Sequence, residues 1–171
     1  AYRDSRTQKG VENVFAKISK EDLYSKTGIQ FLPFNTVFQY ASEEKEVLQN
    51  AEKSLLIPDY LAYQLTGVMV AEETNASTTQ LLNPHHKKYD VELLEIAGLE
   101  AHQLPELVAA GTYIGEVTEE LRTAYNLPVT HVYAVATHDT ASAVVGVPAT
   151  DEHFAYISSG TWSLIGTELK E

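Results

Sequence analysis

Asp139 is the residue whose type and setting point most directly to chemistry. It lies in Ala136-Thr137-His138-Asp139-Thr140-Ala141-Ser142, after the apolar run His131-Val132-Tyr133-Ala134-Val135-Ala136 and before a helical pattern over 141–147. In open α/β sheets, ligands collect at the carboxyl ends of strands. A carboxylate placed there, close to helix N–H groups and the positive end of the helix dipole, is favoured in its charged form and suited to accept a proton. Capping of the following helix is the structural alternative for the same residue. A second segment, Ser158-Ser159-Gly160-Thr161, combines a glycine that lets backbone approach a ligand with hydroxyl and N–H donors for phosphate oxygens. A plain hairpin turn explains those four residues equally well, and no Gly-Lys-Ser or Gly-Lys-Thr follows to make a Walker loop. Taken together, a proton acceptor at a strand end and a phosphate-holding turn are what phosphoryl transfer to a hydroxyl requires.

The elements that must position these groups can be read from pattern. Val11, Val14, Phe15 and Ile18 fall on one helical stripe, and Ser19 with Asp22 forms a capping pair for a second helix ending near Gly28. Pro58 suits a first helical turn, with Tyr60, Leu61, Tyr63, Gln64 and Leu65 running on to Gly67. Leu93, Leu94 and Ala97 mark a short helix between Asp90 and Gly98. From Thr112 the pattern becomes strand at Tyr113-Ile114, a Thr118-capped helix through Tyr125, and strand at 131–136. That last run is β-branched and aromatic without strict alternation, which predicts a strand covered on both faces. Two strands then flank the turn at 158–161, and the polar stretch 149–153 is the one candidate domain boundary.

Composition narrows the function class. With 44% hydrophobic residues among 171, there is material for an ordinary core. A formal net charge of −12, spread along the chain, speaks against nucleic-acid or acidic-membrane partners. Cysteine is absent, which excludes disulfides and thiolate metal sites and suits a reducing cytoplasm. No apolar run reaches bilayer length. The opening residues carry neither an initiator Met nor a signal pattern, so the numbering is expected to begin inside a longer protein.

Several segments in order resemble the FGGY carbohydrate kinase family. They are Tyr2-Arg3-Asp4-Ser5-Arg6-Thr7, Gly28-Ile29-Gln30-Phe31-Leu32-Pro33-Phe34-Asn35-Thr36, Pro58-Asp59-Tyr60, Leu65-Thr66-Gly67, Thr74-Asn75-Ala76-Ser77-Thr78-Thr79-Gln80-Leu81, His138-Asp139-Thr140-Ala141-Ser142 and Ser158-Ser159-Gly160-Thr161-Trp162-Ser163. The second and the last two are similar to family members that act on L-rhamnulose. The resemblance implies an α/β, ribonuclease-H-like fold of the actin and hexokinase type, present in part. Residues 1–148 would be the helix-rich later part of a sugar-binding domain, and residues 149–171 the opening strands of an ATP-binding domain. It implies Asp139 as catalytic base, His138, Asp139 and Thr140 as sugar contacts, and Gly160 and Thr161 as contacts to ATP phosphates, with Mg²⁺ as cofactor and no protein-held metal site.

It also implies a cytoplasmic enzyme, a monomer or small homo-oligomer, whose first phosphate loop and adenine pocket lie outside these 171 residues, so that the residues alone lack kinase activity. Another ketose or polyol (L-fuculose, xylulose, glycerol) is the alternative substrate, and a non-catalytic sugar-binding regulator of the same fold is the alternative class. Glycerol kinases place a substrate-contacting tyrosine where this chain has Glu73, so no site role passes to Glu73, which is expected at the surface. Arg3 and Asp4 border the sugar site in relatives, and an ion pair is their structural alternative. His85-His86 lacks a third partner at ligand spacing and is expected in a solvated loop. Asn75-Ala76-Ser77 is read as helix-start or turn chemistry. The ten tyrosines are interspersed with acids rather than with Lys and Arg, which argues for packing over base stacking.

Overall fold

The computed structural model describes residues 4–169. The first two thirds are mainly helical: α1 (Thr7–Phe15), α2 (Lys20–Thr27), α3 (Thr36–Ala41), α4 (Lys45–Asn50) and α5 (Ile57–Thr66). Next come β1 (Val70–Glu72), α6 (Glu73–Ser77), β2 (Leu82–Asn83), β3 (Lys88–Tyr89) and α7 (Val91–Ala97). A single 3₁₀ turn at Ala101–Gln103 leads to β4 (Glu106–Val108), β5 (Tyr113–Glu116), α8 (Glu119–Tyr125) and β6 (His131–Tyr133). The chain closes with α9 (Asp139–Val145), β7 (Ala155–Ser159) and β8 (Ser163–Thr167).

The expected local signals act where they stand. Ser19 Oγ accepts from the Asp22 N–H at 3.0 Å and starts α2; Asp90 accepts from Leu93 and starts α7; Thr118 accepts from Leu121 and starts α8. Each satisfies an N–H that the helix cannot bond internally. Pro58 sits in the first turn of α5, and Gly67 stops that helix at φ 74°, a left-handed value that a Cβ would strain.

The core belongs to the helical part. Val14, Ile18, Leu23, Val37, Phe38, Leu48, Leu81, Leu93 and Leu94 form one buried cluster. At its edge the rings of Phe15, Phe31 and Phe38 meet with centroids 5.4 to 5.5 Å apart, tilted or edge-on as ring quadrupoles favour. Gly10 lets α1 lie directly on α3, since a Cβ there would fall 1.9 Å from the Phe38 carbonyl oxygen.

The strands form four separate pairs among the described residues. β1 and β4 are parallel, with Val70 opposite Glu106 and Glu72 opposite Val108. β5 and β6 are antiparallel with an irregularity after Tyr113, and β7 and β8 make a regular antiparallel hairpin.

The expectation of a strand at 131–136 covered on both faces is corrected. The ladder covers only His131–Tyr133, and burial alternates: Val132 and Ala134 turn inward while Tyr133 and Val135 are exposed. The reason is that, among the described residues, β6 has a single ladder neighbour, β5, and α5 packs against that pair. α9 also begins two residues earlier than the pattern suggested, at Asp139 itself.

Candidate functional site

The site is built where two strand ends meet. Glu72 ends β1, and the segment leaving β6 runs past it through Thr137 into α9. His138 is the residue before the helix and Asp139 its first residue, so Asp139 is not the helix cap. The Asp139 side chain is 97% exposed. One oxygen, Oδ1, accepts from the Thr140 N–H at 2.7 Å and from its hydroxyl at 3.4 Å, and the His138 Nε2 lies 3.7 Å away. The other oxygen has no partner among the described residues. The three residues named from sequence are thus brought into one turn, with a carboxylate oxygen presented to solvent as an incoming hydroxyl would need.

That turn is held from beneath by a residue that sequence reasoning passed over. Glu72 is 1% exposed. Its carboxylate accepts from the Thr74 N–H at 2.9 Å, from the Thr74 hydroxyl, and from the Asn75 N–H at 3.2 Å, which caps α6. Its Oε2 also accepts from both the N–H and the hydroxyl of Thr137, each at 3.0 Å. The Thr74 hydroxyl in turn accepts from the His138 N–H at 3.3 Å. Burial pushes the Glu72 carboxyl up, but the hydrogen bonds from Thr74 and Thr137 outweigh it and hold the group below its ordinary value. The signal for Glu72 was present as an acid two residues before Thr74, a capping pattern, yet its second set of donors comes from residue 137 and has no trace in local sequence.

Beneath Glu72 lies a second buried acid. Asp59, on α5 and 3% exposed, accepts from the Glu72 N–H through Oδ1 at 3.1 Å. Its Oδ2 is buried without a hydrogen-bond partner among the described residues. Burial is the main cause that pushes its pKa up to about 6; the Glu72 N–H opposes this and the Glu72 charge adds to it.

The turn between β7 and β8 is tight, as expected, but it lies at residues 160–162: Ser158 and Ser159 belong to β7, paired with Leu164 and Ser163. The Gly160 N–H donates to the Trp162 carbonyl at 2.9 Å and closes it, so Gly160 has spent its backbone donor. Thr161 is exposed, and neither its N–H nor its hydroxyl has a partner among the described residues. α9 packs against β7, while no hydrogen bond joins Asp139 to the turn among the described residues. The Trp162 ring lies 6.1 Å from Phe34, linking the hairpin to the loop before α3.

Other sequence candidates find ordinary places. Asp4 takes the Arg6 guanidinium at 2.7 Å, and Arg6 reaches on to Glu43; Arg3 lies outside the described residues. Glu73 is partly exposed and pairs with Lys87 at 3.6 Å. His85 and His86 occupy an exposed turn in which both N–H groups donate to Asn83. Asn75 donates to Glu72 from the first turn of α6. No group of three or more His, Asp or Glu side chains converges among the described residues, and none of their helices is long and apolar enough to cross a membrane.

Residues 1–146 match the N-terminal domain of the FGGY family of carbohydrate kinases. The chain belongs to that family. Among curated FGGY relatives, the rhamnulokinase of Ligilactobacillus salivarius is 51% identical over 169 residues, 99% of this chain and 35% of that protein. The rhamnulokinase of Bacillus subtilis is 48% identical over 99% of this chain and 35% of its own length. The chain therefore spans about a third of the length of these relatives. Among solved structures, a ligand-bound xylulose kinase from Lactobacillus acidophilus superposes with a TM-score of 0.84 at 25% identity, over 98% of this chain and 35% of that one. Plasmodium falciparum glycerol kinase gives 0.74 at 24% identity, over 96% and 34%. The fold is accordingly the α/β, ribonuclease-H-like one expected of FGGY kinases, present in part.

Proposed function

We propose that the protein carrying this sequence phosphorylates L-rhamnulose from ATP, with Asp139 as the base. The observation that carries this reading is an acid with one unpartnered, solvent-facing oxygen at the start of α9, in a chain close to half identical to rhamnulokinases over nearly its whole length. Asp139 accepts the proton of the sugar hydroxyl as that oxygen bonds to the γ-phosphorus, while the bond from the γ-phosphorus to the bridging oxygen breaks and ADP leaves. His138 and Thr140 flank it and hold the sugar. Thr161 offers an N–H and a hydroxyl to the phosphates, and Gly160 shapes the turn that presents them. Mg²⁺ arriving with ATP would supply positive charge against the phosphate oxygens, and no residue of this chain is assigned to hold it.

The division into a sugar-binding part, 1–148, and the start of an ATP-binding part, 149–171, belongs to the same proposal. It is supported by the match ending at residue 146 and by the stretch without helix or strand between α9 and β7. So does a cytoplasmic setting, which a chain without cysteine suits.

The test uses the full-length protein with MgATP and a panel of L-rhamnulose, L-fuculose, xylulose and glycerol, following ADP release. L-rhamnulose is expected to give the highest kcat/KM; a tenfold preference for another sugar removes the substrate assignment. Asp139→Asn is expected to lower kcat by about 10² to 10⁴ with KM for ATP unchanged, the usual worth of general-base catalysis. Retention of more than about a tenth of kcat by this variant would remove Asp139 as the base.

A further inference from the structure

Asp139 touches little besides its own neighbour Thr140 and the His138 ring, so its aim depends on the backbone that delivers it. That backbone is fixed at two consecutive peptides. The Thr137 N–H points into Glu72, and the His138 N–H points into the Thr74 hydroxyl, which itself donates to Glu72. We propose that Glu72 is the positioning residue of this site, acting through Thr137 and Thr74 to set the direction in which Asp139 leaves the start of α9. The inference rests on Asp139 being the base.

The inventory of donors explains why a charged acid stands here. Five donors from Thr74, Asn75 and Thr137 converge on the carboxylate. A carboxylate has only acceptor oxygens and meets them all, whereas an amide would turn an NH₂ toward donors that cannot accept from it. The side chain is buried, so water is not at hand to repair the mismatch. Asp59 completes the support by accepting the Glu72 N–H, which pins the end of β1 to α5. Glu72 thus ties three elements, α5, β1 and α6, to the one loop that carries the base.

The experiment uses the full-length enzyme and three changes. Glu72→Gln is expected to lower kcat by about 10- to 100-fold, the scale of a misplacement near one ångström, with KM for ATP within about twofold. In an Asp139→Asn background the same change is expected to cost little, because the group it positions is already disabled. A full loss from Glu72→Gln in that background would assign Glu72 to general structure and overturn the proposal, as would a kcat within about threefold of the parent in the single variant. Thr137→Val, which removes one hydroxyl and leaves the buried acid in place, gives a reading even if Glu72→Gln folds poorly. It is expected to lower kcat, with Thr137→Ser restoring it, and failure of serine to restore what valine loses would also overturn the proposal. These outcomes separate from the base assignment, which the Asp139→Asn single variant tests alone.

Discussion

Burial pushes up both of two acids one hydrogen bond apart, Asp59 and Glu72, yet their net shifts are opposite, and the difference lies in how many donors each has. Glu72 meets five and is held low; Asp59 meets one N–H and is pushed up to about 6 from 3.8. The folded protein therefore holds the Asp59 proton between about pH 4 and 6, where the unfolded chain has released it. Stability from this group is complete below about pH 4 and lost as pH rises to about 6, a change on the order of 3 kcal/mol. Glu72 acts the other way and at lower pH, losing its contribution as acid protonates it. Asp59→Asn keeps a carbonyl for the Glu72 N–H and removes the titration. Urea unfolding from pH 4 to 7 is expected to show the parent losing stability relative to the Asn variant, and parallel profiles would show that Asp59 does not titrate in this window.

Among elements, the contact of α1 with α3 is set by the absence of one carbon. At Gly10 a Cβ would lie 1.9 Å from the Phe38 carbonyl oxygen and 3.2 Å from Ser42 Cβ. Backbone cannot swing aside as a side chain can, so Gly10→Ala must push α1 away from α3 and draw the Phe15 ring off Phe31 and Phe38. The expected cost is about 3 kcal/mol, the upper end of ordinary overpacking, read as a lower midpoint in chemical denaturation. A midpoint equal to the parent's would show that the two helices separate freely. Helix starts at Ser19, Asp90 and Thr118 were legible because a cap is a local bargain between residues three apart. Strand β6 was misjudged because burial of a strand depends on what covers its faces, which its own residues do not encode.

At the level of the whole molecule, the β7–β8 hairpin touches the helical part through α9 and through Trp162 against Phe34. Trp162 is the sole tryptophan of the 171 residues and is 54% exposed, so its fluorescence reports on that contact. Phe34→Ala is expected to shift the emission to longer wavelength as the indole gains water; an unchanged spectrum would mean the hairpin does not rest on the loop before α3. The same contact sets the turn that carries Thr161 beside the loop before α3.

The sequence by itself determined the capped helix starts at Ser19, Asp90 and Thr118, the presence of a hairpin with a tight turn near Gly160 and, through ordered motifs, the family. All of these are written in residues close together along the chain. Tertiary structure alone decided that Asp139 is exposed while Glu72 and Asp59 are buried behind it, and that residue 72 holds residue 137. The physical reason is that a hydrogen bond across sixty-five positions is specified by the packing of α5, β1 and α6 together, and no local pattern of residue types records it.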